Sequence, residues 1–417
     1  MNALIKSATI IDSQSSHHGK TVDIRIKNGK ITEIGVNLKT AKGEESIQKD
    51  NLHLSQGWFD SSVNIGQPGY EERETIENGL HVAASSGFTD IAITPNTNPI
   101  LDTSAGISYI KKMAEGHLSN VHPIGALSRK SEGNDLAELY DMQQAGAVAF
   151  GDYQKSIANP NLLKIALQYA QGFDGLVLSY PQENKLVGKG IVNEGVVSTR
   201  LGLKGSPALA ESIAVARDLH ILEYTGGKLH IPTISTAASV SLIREAKAKG
   251  LDVSCSVAIT NLYFTDDVLE HFDTNFKLLP PLRTEEDKNA LLEGVKDGTI
   301  DMVTSNHNPL NIELKKVEFD NASYGSIAQE ATFGALLTLV SDKKAVKLLT
   351  AGRNRFTDST AAIEEGNEAN ITMFDTKGVS SFRESDILSK SKNAAFLGAK
   401  LKGKVYGVIA NNSLHIN

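Results

Sequence analysis

The chain has 417 residues, 40% of them hydrophobic and 22% charged, and a formal net charge of -7. That is the composition of a soluble globular protein, and scattered Lys and Arg give no electrostatic footprint for nucleic acid or an anionic membrane. The single cysteine, Cys255, excludes an internal disulfide framework and suits a reducing compartment.

The N-terminal stretch MNALIKSATIIDSQ carries Lys6 inside a short apolar run and has no cleavage-like site, so it does not read as a signal peptide. No apolar run approaches the ~20 residues of a membrane helix, and the expected location is cytoplasmic. ALIKSATIID and VDIRIKNGKITEIG alternate in period two, with Asn28-Gly29 as a type I′ hairpin turn. The C-terminal segments ANITMFDT and GKVYGVIANNSLHI are also strand-like.

Between these ends, eight short apolar runs alternate with helical stretches. The runs are WFDSSVNI, TDIAITPN, VHPIGALS, AVAFGDY, GLVLSYP, KLHIPTIS, DVSCSVAIT and IDMVTSNHN. The helical stretches include AGISYIKKMAEG, LAELYDMQQAG, NLLKIALQYAQ, ALAESIAVARDLHILEY, ASVSLIREAKAKG and TEEDKNALLEGVKDG, several followed by Gly as a helix C-terminus favours. Eight strand-helix units predict a (β/α)₈ barrel of the TIM type. No strand leads into a G-x-G-x-x-G turn, so a doubly wound sheet lacks support. The expected organisation is a barrel over residues 55–364 inserted into a small β-sandwich domain made of residues 1–54 and 365–417.

Chemistry in such a barrel belongs at the C-terminal ends of the strands and in the loops that follow. In GWFDSSVNIGQPG, Ser62 and Asn64 are two apart and are expected to project together. A metal enzyme would place His-x-His there, because two imidazoles can grip one cation, whereas neutral hydroxyl and amide oxygens are weak ligands for Zn²⁺.

The segments PNTNP, VNEGVVSTRLGLKGSPALAE, KLHIPTIST, LPPLRTEEDKNALLEGVKDGTID and TSNHNP occur in the order of the type I dihydroorotases. The chain resembles that family of the cyclic amidohydrolase superfamily along nearly its whole length. The resemblance implies hydrolysis or closure of the ring joining carbamoyl aspartate and dihydroorotate, with zinc-activated water and an Asp as general acid/base.

Transferred position by position, the family pattern is largely missing. Its metal histidines fall on Ser62, Asn64, Ser179 and Thr233, and its catalytic Asp falls on Asn306. The substrate-holding Arg falls on Gly66 and an expected Asn on Leu279, while Asn96 keeps its family position in a turn-forming PNTNP. Asp152 is the one retained ligand-type group, followed by Tyr153 where the family has a second carboxylate. His230 and His307 stand at odd offsets from the lost positions and are expected to face away as structural histidines. Cys255 is expected to be inert core. Ser62, Ser179 and Ser305 lack a His at the mouth to activate them.

The resemblance thus implies a degenerate family member, catalytically inactive and without a bound cofactor, that partners aspartate carbamoyltransferase in an oligomer. The rival expectation is an active dihydroorotase or related cyclic amidohydrolase with a rearranged zinc site. A pocket retained as a sensor of small anions is the third, disfavoured by loss of the Arg at Gly66.

Overall fold

The computed structural model describes residues 1–357 and 361–417; residues 358–360, inside the range read as barrel, lie outside the described residues. The chain starts with β1 (Asn2–Ile10), β2 (Thr21–Lys27), β3 (Lys30–Gly35), β4 (Glu45–Ile47) and β5 (Leu52–Gln56). The β2–β3 hairpin turns at Asn28 and Gly29, both at positive φ, with Lys27 paired to Lys30. A type I′ turn requires this conformation, and Gly supplies it without strain.

The barrel strands are β6 (Trp58–Val63), β7 (Phe88–Ile93), β8 (Asn120–Gly125), β9 (Ala149–Phe150) and β10 (Leu176–Leu178). A short accessory pair, β11 (Val192–Asn193) and β12 (Gly205–Ser206), precedes β13 (Lys228–Ile231), β14 (Val253–Ala258) and β15 (Met302–Thr304). All eight apolar runs therefore become strands, in the parallel order β6-β7-β8-β9-β10-β13-β14-β15. The ring closes where Val63 bridges His307 in parallel and the Asn64 N–H donates to the His307 carbonyl at 2.8 Å. This is a TIM-type (β/α)₈ barrel.

The strands are covered on both faces, which explains their near-continuous burial; every residue of β6, β7 and β14 is buried. Alternation still sorts the two faces. Trp58 points outward against Phe88, Phe333 and Phe374, whereas Phe59 points inward. Inside, Phe59, Ala92, Ile124, Ala149, Leu176 and Met302 fill the barrel, and Phe356 packs 5.4 Å from the Phe59 ring. Thr75, Thr103, Thr236 and Thr284 cap the helices that follow, each accepting an N–H from the first turn. The helix Pro160–Ala170 buries Leu162, Leu163, Ala166, Leu167 and Ala170, a helical-period stripe in which each leucine is worth ~1.5–3 kcal/mol of burial.

The chain returns through β16 (Ile371–Ser381), β17 (Lys400–Ala410) and β18 (Ser413–Ile416). These pair with the N-terminal strands in the order β18-β17-β16-β5-β1-β2-β3, with β4 beside β1. Residues of both chain ends, among them Ile5, Ile24, Leu54, Ile371 and Ile409, share the core of this small β-sandwich domain. Among the described residues, no helix is long and apolar enough to cross a membrane.

Candidate functional site at the barrel mouth

The C-terminal ends of the strands enclose a cavity of about 30 Å³. Its wall includes Ser61, Ser62, Tyr153, His230, Thr233 and Asn306. Binding sites for small ligands usually span ~300–1,000 Å³, and a space of this size holds about one water. Among the described residues, no carboxylate lines it.

The strand ends explain which side chains enter. The β6–β7 register shifts between Asp60 and Val63, so Ser61, which the alternating pattern did not single out, lines the cavity beside Ser62. Ser62 donates to Asn306 Oδ1 at 3.3 Å. Asn64 lies past the end of the strand and does not line the cavity; its amide donates to Asn308 Oδ1 at 2.6 Å. The expected common projection of Ser62 and Asn64 therefore gives way to two separate links to the segment after β15.

Asn306, where the resemblance leads one to expect the acid/base Asp, has φ 49°, and both ends of its amide are engaged, Oδ1 by Ser62 and Nδ2 by the Leu279 carbonyl at 3.1 Å. Leu279 contributes its backbone here, and its carbonyl also accepts from Gln154. Ser179 turns away from the cavity to donate to the buried Asp218 on the helix Leu209–Thr225, at 2.6 Å, while Tyr180 lines the cavity. Asn96 accepts from Thr94 Oγ1 at 2.7 Å, as a turn residue does, and Thr94 rather than Asn96 is in the wall. At Gly66 a Cβ would sit 2.1 Å from the Tyr70 carbonyl oxygen, so this backbone has no room for an arginine.

Asp152 does not reach the cavity. Its carboxylate accepts from the backbone N–H and hydroxyl of Ser128, and burial raises its pKa against those hydrogen bonds. Tyr153, at φ 57°, enters the cavity in its place, with a buried hydroxyl that lacks a hydrogen-bond partner among the described residues. Burial pushes that phenol well up and keeps it protonated. Tyr180, absent from the sequence-based candidates, and Tyr153, read there only as standing in a carboxylate's place, are the bulky occupants of the mouth. The signal was their adjacency to Asp152 and Ser179, since alternation swaps neighbours between faces.

His230 corrects the parity expectation. The strand ends at Ile231 and Thr233 adopts φ 49°, so the period of two does not carry through Pro232, and His230 lines the same cavity as Thr233. Its two nitrogens meet Ser254 Oγ at 2.9 Å and Ser256 Oγ at 3.2 Å, and burial lowers its pKa to about 3. An imidazole this weakly basic is a poor proton acceptor for any nearby serine at neutral pH, and it lacks an orienting carboxylate. His307 faces outward, as expected; its Nδ1 accepts from the N–H groups of Ala328 and Gln329. Ser305 is likewise committed, donating to Asp60, whose pKa is raised by burial. Cys255 is buried and its thiol is pushed up to about 12, first by burial, as an inert core cysteine should be.

A zinc ion does not fit this donor set. The wall offers hydroxyls, amides, phenols and one doubly bonded imidazole, and no group of three or more His, Cys, Asp or Glu among the described residues is arranged to hold a metal.

The closed parallel barrel, the cavity at its strand ends and the β domain drawn from both termini define a TIM-barrel protein with a site at the strand ends. The fold is similar to L-hydantoinase from Arthrobacter aurescens, with a TM-score of 0.85 at 20% identity over 99% of this chain and 96% of that one. Residues 53–239 match the family described as Dihydro-orotase-like. The chain is 38% identical to the dihydroorotase of Geobacter metallireducens, over 97% of this chain and 96% of that protein. It is 39% identical to the dihydroorotase of Pelotomaculum thermopropionicum, over 98% and 97%. The chain belongs to the dihydroorotase family.

Proposed function

We propose that this chain keeps the dihydroorotase scaffold without the hydrolytic site and serves as a structural or regulatory partner of aspartate carbamoyltransferase. The observation that carries the first half is the mouth itself: about 30 Å³, filled from the sides by Tyr153 and Tyr180 and, among the described residues, bare of carboxylate. Water attack on an amide draws most of its acceleration from a metal or base and from stabilisation of the developing charge. Neither Asn306 nor the weakly basic His230 supplies these. Retention of the whole barrel and β domain supports a role for the outer surface, and the family resemblance supplies the partner.

The test has two arms. The chain, expressed with zinc and purified without chelator, is assayed for dihydroorotate hydrolysis and for metal content. Background turnover and near-zero metal are expected, and turnover abolished by Asn306→Ala would sink the reading. Co-expression with the carbamoyltransferase of the same cell should yield one complex by light scattering, with an interface above ~1,000 Å². Separate elution would remove the partner half.

A second reading is an active dihydroorotase with a rearranged zinc site, with Asp152 as one ligand. It is favoured by 38–39% identity to proteins named dihydroorotase over nearly full length. That reading requires the mouth to open and the Asp152 loop to turn inward, and one or two tightly held zinc ions per chain would establish it.

A further inference from the structure

A second cavity, of about 500 Å³, lies at the same end of the barrel among the loops after β6, β14 and β15 and the segment preceding β17. It shares no residue with the mouth cavity. Lys315, Lys316, Lys390 and Lys392 line it, and Glu72 is its one carboxylate among the described residues.

None of these four lysines forms an ion pair among the described residues, although the Lys390 charge helps to lower the pKa of nearby Glu71; the ammonium groups of Lys315, Lys390 and Lys392 donate to backbone carbonyls. Lys315 donates to Ser323 and Gly325 at 2.9 and 3.0 Å, Lys390 to Glu71 at 2.7 Å, and Lys392 to Ile387 and Ser389 at 2.8 and 3.1 Å. Lys315 is only 6% exposed, so its charge is taken out of water beside like charges, which is costly without a counter-anion. Burial holds its pKa at about 7, against the pull of Asp273 and with the help of Lys277. An ammonium has three donors, and two of those on Lys315 are used.

We infer that this cavity is a binding site for a small multivalent anion of the phosphate class, either free pyrophosphate or the phosphate group of a metabolite. Its volume of about 500 Å³ admits such an anion together with its water or with the rest of a metabolite. Ammonium groups act as point charges, so four of them favour a compact anion of high charge density, such as pyrophosphate, over an extended dicarboxylate.

Calorimetric titration of the full chain with pyrophosphate at near-physiological salt tests the site, with succinate and a phosphate monoester as parallel arms. One saturable site per chain is expected for the phosphate-bearing probes, and little heat for succinate. The exposed double variant K316E/K390E should weaken binding at least about tenfold, because it reverses two charges at the cavity wall. Lys315→Met should weaken it as well, while the surface variant covers the case in which that buried change unfolds the loop. Absence of saturable binding, equal binding of succinate, or affinity unchanged in K316E/K390E would each overturn the site.

Discussion

Asn64 donates its side-chain amide to Asn308 Oδ1 at 2.6 Å, joining the end of the first barrel strand to the segment after the last. The Asn308 amide in turn donates to the Tyr324 carbonyl at 3.1 Å, and the Asn64 backbone donates to His307. A seam that a metal could clamp in a hydrolase is closed here by neutral hydrogen bonds. Both side chains are buried, so truncating either leaves a polar partner unsatisfied, at ~1–3 kcal/mol. Asn64→Ala and Asn308→Ala should each lower urea stability by about that amount, and the double variant should cost less than their sum. Strict additivity would show that the pair is not coupled.

Asp90 and Arg353 tie the barrel strands to the helix at the base. Arg353 Nη2 lies 2.7 Å from Asp90 Oδ2 and donates to the Gly57 carbonyl at 2.8 Å. Burial alone would raise the Asp90 pKa, but the His122 hydrogen bond and the Arg353 charge reverse this and hold it at about 2. Arg353→Met strands a buried carboxylate and should cost ~3–5 kcal/mol, whereas adding Asp90→Asn should recover part of the loss. Denaturant titration of the two variants checks the order.

His230 and His307 set an acid limit on stability. Each is buried and neutral with a pKa of about 3 against an ordinary 6.5. The unfolded chain therefore binds more protons between those values; stability is full above pH 6.5 and falls as the pH drops toward 3. Buried Asp60 and Asp152, whose pKa values are raised, act with the opposite sign, so the histidine contribution is read as a difference. The wild type should lose ~2 kcal/mol more than His307→Gln between pH 7.5 and 5.0. Equal losses would mean that His307 titrates normally in the fold.

Asp152 separates packing from metal binding. Without a cation in contact, Asp152→Asn should cost only ~1 kcal/mol, since Asn can still accept from the Ser128 N–H and relieve the buried charge. Asp152→Ala should cost more, leaving that N–H unpaired. The opposite ranking, or zinc-dependent stability of the wild type alone, would place Asp152 on a metal.

Much of this protein follows from short-range pattern. Apolar runs of strand length between capped helical stretches dictate the barrel, because strands covered on both faces must be continuously apolar and helices must present a 3.6-residue stripe. The hairpin at Asn28-Gly29 and the β-rich ends are equally local. That Ser62, Asn64, Ser179 and Thr233 are not metal-type side chains, and Asn306 not a carboxylate, is a matter of residue identity and was readable before any coordinate. Which neighbour enters the mouth was not. The register shift after Asp60, the end of β13 at Ile231 and the left-handed backbone at Tyr153, Thr233 and Asn306 arise only when the strands close into a ring. Ring closure puts Ser61, Tyr153 and His230 into the cavity and sends Asp152 and Ser179 to Ser128 and Asp218. The lysine cavity is of the same kind, since its walls come from segments about 80 and 320 residues apart in the chain, and proximity over such separations is a property of the closed fold alone.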